Sequence, residues 1–367
     1  MRILFLSKRH YMSKDVIDDR YGRLYELPAN LARQGHSVLG VCTAYRRLGD
    51  RRVYCHSEQG DLNWQALDLL PHGASYAWRL PAMGRSFAPD LVFSASDALQ
   101  VVLGDYLARR LDVPHVVDLY DNFESFGLTR LPGLRRAFRR ALQRASAISC
   151  VSEPLRKKLG CELPGMPLLT LESTIDPELH RPFDKREARE HLGLPVDAWL
   201  MGTAGALHRS RDIGLLYAAF ERLAPRHPDL HLALAGPVDP ACPPPQHPRV
   251  HYLNQLPHAQ VPLFHSALDL ALICMRDDEF GRYAFPQKTY EILACGTPLL
   301  AASVDALRSL LSNWPRCLYQ PGNLDQLIGR IEEQRQRTCT PSFTIPSWAV
   351  QAKRLESFWR GHLKLPE

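Results

Sequence analysis

The residues best suited to chemistry lie between Arg276 and Ala302. Here Pro286-Gln-Lys-Thr-Tyr-Glu291 brings a proline, an amide, an ammonium and a carboxylate together in one short run. An apolar run, Leu270 to Cys274, leads through a polar loop into a predicted helix that starts at about Pro286 and ends at Gly296. The first amides of a helix have no acceptor within it, and the helix dipole adds to their pull on anions. Gln287 and Lys288 therefore suit a nucleotide diphosphate, and Glu291, one turn further, can accept both hydroxyls of a ribose. The plain alternative is a structural helix with a glycine cap.

A second group is Met201-Gly-Thr-Ala-Gly-Ala-Leu-His-Arg-Ser-Arg-Asp212. A turn through Gly205 precedes two cations, Arg209 and Arg211, and a pair of solvated arginines at a helix start is one reading of them. A third group lies in the first half. Gly22 precedes a helix and would let a ligand approach the backbone, or is simply a loop glycine. Pro114 to Glu124 reads as a strand entering a polar loop with Tyr120, Asp121 and Asn122. Asp121 suits a helix-capping role.

These groups need elements to position them. Short apolar runs alternate with amphipathic segments, which predicts β-α units and parallel sheets. Strands are expected at 2–6, 36–42, 90–94, 114–118, 146–151 and 167–171, with helices at 21–34, 97–110 and 134–145. Residues 44–89 read as irregular. Pro177, Pro182 and Pro195 among many charges mark a connection over 173–197. The alternation then restarts, with strands near 198–204, 229–235, 249–253, 269–274, 297–302 and 316–319. Helices are expected near 212–224, 258–267, 287–294, 304–312 and 323–336. A last helix, 347–360, spaces Trp348, Ala352, Leu355 and Trp359 along one face. The expected fold class is α/β: two Rossmann-like, doubly wound parallel-sheet domains facing a cleft. The expected domains are 1–180 on the acceptor side, 181–346 for the donor, and 347–367 as a helix crossing back to the first domain.

Composition narrows the classes. The 367 residues suit two domains, and 45% apolar with 23% charged residues is ordinary for a globular chain. The formal charge of +6 favours anionic partners. Nucleic acid is not expected, for want of a Lys-rich tail, a zinc knuckle or an RNA-binding aromatic motif. Nine scattered Cys without Cys-x-x-Cys argue for a reducing compartment. A short apolar start, Ile3 to Leu6, gives no secretory signal, so the expected location is cytoplasmic. Residues 130–144 hold six Arg (130, 135, 136, 139, 140, 144), most of them opposite Leu134, Phe138, Ala141 and Leu142 on a helix, a pattern that suits an anionic membrane surface at the inner face of the plasma membrane or a packed helix with a solvated Arg face. No Asp-x-Asp, Walker loop or Gly-x-Gly-x-x-Gly occurs, and the His show no metal-ligand spacing. No cofactor and no metal are expected.

Tyr290-Glu-Ile-Leu-Ala-Cys-Gly-Thr-Pro-Leu-Leu-Ala-Ala302 resembles the retaining GT-B glycosyltransferases of family 4, also called glycosyl transferases group 1. Leu232 to Pro237, Val250 to Leu256, Ser149 to Glu153 and Ser173 to Pro177 match further landmarks, so the resemblance spans nearly the whole chain. It implies that Glu291 binds the donor ribose and that Arg211 stands for the family's lysine facing the diphosphate. Ala206 replaces the family's arginine, with Arg209 as substitute. Tyr283 replaces the usual glutamate near the transferred sugar, which leaves Asp278 or Glu279 to substitute. Tyr120 replaces a histidine, and the resemblance makes the adjacent Asp121 the candidate for touching an acceptor hydroxyl or a donor sugar. The resemblance further implies transfer of a sugar from a nucleoside-diphosphate sugar to a hydroxyl with retention, the diphosphate acting as base. A glycan or lipid-linked acceptor in cell-surface polysaccharide or glycolipid assembly would follow. The rivals are a nucleotide-sugar epimerase of the same fold and a non-catalytic nucleotide-sugar binder.

Overall fold

The computed structural model describes residues 1–11, 14–56, 59–71, 73–124 and 127–366, with all their side chains except those of His56 and Arg130. Two compact units emerge. One comprises Met1–Ser173, Tyr283–Phe285 and Pro346–Glu367, the other Thr174–Arg282 and Pro286–Ile345.

The first unit starts with β1 (Arg2–Lys8), a small hairpin of β2 (His10–Tyr11) and β3 (Lys14–Asp15), α1 (Arg23–Arg33) and β4 (Ser37–Ala44). It continues with β5 (Arg51–His56), β6 (Asp61–Asp68), α2 (Tyr76–Phe87), β7 (Leu91–Ala95) and α3 (Ala98–Leu111). Then come β8 (His115–Leu119), α4 (Leu134–Arg144), β9 (Ala147–Cys150), α5 (Glu153–Glu162) and β10 (Leu168–Thr170). Its main sheet runs β10-β9-β8-β7-β1-β4-β6-β5 and is parallel except where edge strand β5 pairs with β6. Alternate residues of β1 feed opposite faces, as strand geometry requires. Ile3 and Phe5 join the core under α1, while Leu4 and Leu6 join the core under α2 and α3.

The second unit holds α6 (Lys185–His191), β11 (Trp199–Ala204), α7 (Ile213–Leu223), β12 (Leu230–Ala235), β13 (Val250–Tyr252), α8 (Val261–Ala267) and β14 (Leu270–Ile273). After these come α9 (Glu279–Tyr283, its last residue in the first unit), α10 (Lys288–Ala294), β15 (Leu299–Ala302), α11 (Asp305–Leu310), β16 (Leu318–Tyr319) and α12 (Leu324–Gln336). Its six strands are all parallel, in the order β13-β12-β11-β14-β15-β16. Read in chain order, this is the doubly wound 3-2-1-4-5-6 arrangement, and the first sheet carries the same order within it. The final helix α13 (Trp348–His362) returns to the first unit. Its Trp348, Ala352, Leu355 and Trp359 enter the core with Leu24, Leu27 and Leu31 of α1, and Trp359 meets Phe93 edge-on at 5.0 Å.

Three expectations need correction. The span 44–89 contains β5, β6 and α2. Asn63 and Gln65 masked β6, although Leu62, Trp64 and Ala66 alternate inward, and Pro81 within α2 reads as a breaker. The stretch 173–197 is largely part of the second unit, not a bare connection. Asp184 caps α6, and buried Arg189 donates to the carbonyls of Ala267, Val196 and Ala198 and to the Asp269 carboxylate. The polar loop before Pro286 contains α9, and the helix starts at Lys288, with the Pro286 carbonyl accepting from the Thr289 amide in the preceding turn.

Candidate functional site

In the second unit the strand order reverses between β11 and β14, so a crevice opens at their carboxyl ends. At that point β11 runs from Ala204 into Gly205, whose φ of +116° only glycine tolerates readily. A side chain on Gly236, at the end of β12, would put its Cβ 2.0 Å from the Gly205 carbonyl oxygen. The two chains therefore touch glycine to glycine, and the Gly205 amide donates to the Ala235 carbonyl at 2.9 Å. The loop then turns through a 3-10 segment, Arg209–Arg211. The Arg209 amide donates to Asp239 and its side chain is exposed. The Arg211 guanidinium lies over the Phe280 ring, 4.2 Å from its centre.

Helix α10 brings the second set of groups to the same crevice. The Lys288 ammonium donates to the Ala204 carbonyl at 3.1 Å and stands 3.5 Å from where a Cβ on Gly205 would be. Burial lowers the Lys288 pKa, and Arg211 lowers it further. Glu291 is 8% exposed and accepts a hydrogen bond from the Gln287 amide at 3.1 Å. Burial pushes its carboxyl up to about 7, against the opposing pull of Lys288 and Gln287. The Gln287 Oε1 is buried with no partner among the described residues. Gly205, Arg211, Gln287, Lys288 and Glu291 thus form one polar cluster of buried carboxyl, amide and cations. Pro286 shapes the turn below it.

Other expected residues fall elsewhere. Glu279 is exposed at the start of α9. Asp278 is engaged in the turn, its Oδ1 accepting from the Gly281 amide at 2.9 Å. Tyr283 belongs with the first unit: its carbonyl accepts from the Ser152 hydroxyl at 2.6 Å, and its ring packs against the apolar cluster of α3, α4 and α5.

In the first unit, Gly22 has φ +70° and is the residue before α1. A Cβ there would meet the Tyr11 ring at 2.8 Å, so the glycine makes room for Tyr11. Tyr11 in turn packs edge-on against Tyr120 at 5.0 Å, and the Lys8 ammonium stands 5.6 Å from the Tyr120 ring centre. Burial pushes the Tyr120 phenol well above its usual range, so it stays neutral. The Asp121 carboxylate accepts from the Asn122 amide at 2.8 Å, and Asn122 is buried. Burial lowers the Lys8 pKa, while Asp97 and Asp121 oppose that shift.

Sequence reasoning missed the anchor beneath this group. Arg23 forms a two-pronged pair with Asp118, at 2.6 and 2.7 Å, with both side chains fully buried. The Ser149 hydroxyl donates to the same carboxylate at 2.5 Å. The polar residues inside the apolar runs His115–Leu119 and Ala147–Cys150 were the available signal. Among the described residues, no group of three or more His, Cys, Asp or Glu is placed to hold a metal ion, and no helix is long and apolar enough to cross a membrane.

Family comparison assigns the frame. Residues 23–165 match the Glycosyl transferase 4-like domain, and residues 184–334 match Glycosyl transferases group 1. The chain belongs to the group 1 glycosyltransferases. A relative in Catenulispora acidiphila, D-inositol 3-phosphate glycosyltransferase 1, is 30% identical over 158 residues, which is 38% of this chain and 36% of that protein. The match therefore spans about a third of the curated relative's length. Two solved structures share the group 1 chain's GT-B fold nearly end to end. Sucrose-phosphate synthase from Thermosynechococcus elongatus gives a TM-score of 0.72 at 16% identity, covering 98% of this chain and 94% of that one. Anabaena HepE, solved with UDP and glucose, gives 0.66 at 18% identity, covering 99% and 95%.

Proposed function

We propose that this group 1 glycosyltransferase moves a hexose-like unit from a nucleoside-diphosphate sugar to a hydroxyl acceptor, with retention and without a metal ion. The observation that carries the reading is the cluster of Lys288, Gln287 and Glu291 against the Gly205 turn, at the switch point of the second sheet. The glycine turn leaves the crevice floor open, Lys288 and Arg211 supply positive charge for a diphosphate, and Glu291 supplies an acceptor for ribose hydroxyls. As the glycosidic bond breaks, negative charge grows on the diphosphate, and these cations lower the barrier by meeting it there. A diphosphate oxygen takes the proton of the incoming hydroxyl on the same face, in keeping with retention in the family. On the first unit, Asp121 with Tyr120 and Asn122 is assigned to the acceptor or the donor sugar, and Glu279 to the sugar side of the donor loop. The acceptor is assigned to a glycan or a lipid-linked glycan used in surface polysaccharide assembly, handled at the cytoplasmic side.

Helix α4 supports contact with anionic lipid through charge alone. Phe138, Ala141 and Leu142 are buried in the core, whereas Arg135, Arg136 and Arg140 are exposed. The Arg130 side chain lies outside the described residues.

Thermal shift with a panel of nucleotide sugars, followed by product analysis with and without an acceptor extract, tests the assignment. A glycosylated acceptor with the donor's anomeric configuration is expected. A new sugar nucleotide from donor alone would identify an epimerase, and binding without turnover a non-catalytic protein.

A further inference from the structure

The loop that carries Phe280 is built to hold one ring in one place. Asp278 closes it by accepting from the Gly281 amide at 2.9 Å, and its carbonyl accepts from the Arg282 amide at 2.9 Å. Gly281 is obligatory there, because a Cβ would fall 2.0 Å from the Arg276 carbonyl oxygen. The Arg282 guanidinium ties to Asp277 at 2.7 Å on the outer side. Phe280 stands between these fixed points, half-buried, with the Arg211 guanidinium 4.2 Å from its ring centre.

We infer that Phe280 is a positioning residue that orients Arg211 toward the diphosphate of the donor. An aromatic face attracts a guanidinium through its quadrupole and engages the plane of the group, not its N–H edge. The ring thus bears on the direction of the arginine through its planar face. The planar group of arginine stacks in this way better than an ammonium does. This inference rests on the donor-site reading above.

The test uses the full chain and the nucleoside diphosphate, among ADP, CDP, GDP and UDP, that raises its melting temperature most. Affinities for that diphosphate and for the matching monophosphate are measured by calorimetry in wild type, Phe280→Leu, Phe280→Trp, Arg211→Ala and Phe280→Leu/Arg211→Ala. Phe280→Leu keeps apolar bulk and loses the quadrupole. It should weaken the diphosphate about 10-fold and leave the monophosphate within about 2-fold, while Phe280→Trp stays close to wild type. The double variant should be no weaker than Arg211→Ala. Wild-type affinity in Phe280→Leu, an equal loss for the monophosphate, or additive losses in the double variant would overturn the inference. Should Phe280→Leu fold poorly, failure of Phe280→Trp to retain the diphosphate preference overturns it as well. A wild-type Arg211→Ala sinks the donor-site reading and this inference together. A weakened Arg211→Ala beside an unaffected Phe280→Leu sinks the inference alone.

Discussion

Lys288 and Ala204 are 84 positions apart in the chain, yet the ammonium of one donates to the carbonyl of the other at 3.1 Å. The bond locks the start of α10 to the end of β11, so the glycine turn and the Gln287–Glu291 pair become parts of one crevice. The ammonium rests on a neutral carbonyl at the place where a diphosphate is assigned.

Glu291 should make nucleotide binding depend on pH. Its carboxyl titrates at about 7, and a ribose hydroxyl donates to the charged form. The ratio of wild-type to Glu291→Gln affinity for a nucleoside diphosphate should climb from near unity at about pH 6 to about 10-fold at about pH 8. Taking the ratio removes titration of the phosphate itself. Stability moves the other way. The folded carboxyl holds its proton more tightly than the unfolded one, so its contribution is complete below the unfolded value of 4.5 and is lost as pH rises through about 7. The melting temperature of Glu291→Gln relative to wild type should therefore rise over that range. A flat affinity ratio would remove Glu291 from the ribose site.

Metal independence is checked by chelation. Transfer should continue at an undiminished rate in excess EDTA, because the two cations carry the charge compensation. Activity lost on chelation and restored by Mn²⁺ or Mg²⁺ would refute this.

The Arg23–Asp118 pair should matter more to stability than its polar chemistry suggests. Removing one partner strands a buried charge, so Asp118→Ala should cost about 3–5 kcal/mol in urea denaturation. Arg23→Met/Asp118→Leu should cost clearly less, since neither charge remains. Equal losses in the single and double variants would show that packing, not the stranded charge, sets the penalty.

Vesicle sedimentation tests α4. Binding should require anionic lipid, weaken with salt, and fall when Arg135, Arg136 and Arg140 are all changed to Gln, at about 1 kcal/mol per arginine. Activity on a soluble acceptor should persist in that variant. Equal binding to neutral vesicles, or none to either kind, would reject contact through charge.

Much of this was legible in the chain. Short continuous apolar runs marked nearly every central strand, because strands buried on both faces must be continuously apolar. The Trp348, Ala352, Leu355 and Trp359 spacing marked α13 in the same way. The donor cluster was readable because its residues sit within one or two turns of each other and carry distinct chemistry. What escaped were relations across long sequence distance. Nothing local tells that Gly236 must be bare because Gly205 lies against it, or that Arg23 seeks Asp118. Tyr283 was read with its neighbours in the donor motif, whereas its packing places it in the first unit. The edge strand β5 and its neighbour β6 were missed because a strand with one polar face offers few apolar residues to count.

The first unit is discontinuous: residues 174–282 and 286–345 of the other unit are made before α13 appears. Synthesis at roughly 5–20 residues per second separates Ser173 from Trp348 by roughly 9–35 s. Throughout that interval, the seat of Trp348 and Trp359 along α1 and beside Phe93 lacks its native cover. The emerging chain thus carries a defined apolar strip that holding chaperones can recognise until its last helix leaves the ribosome.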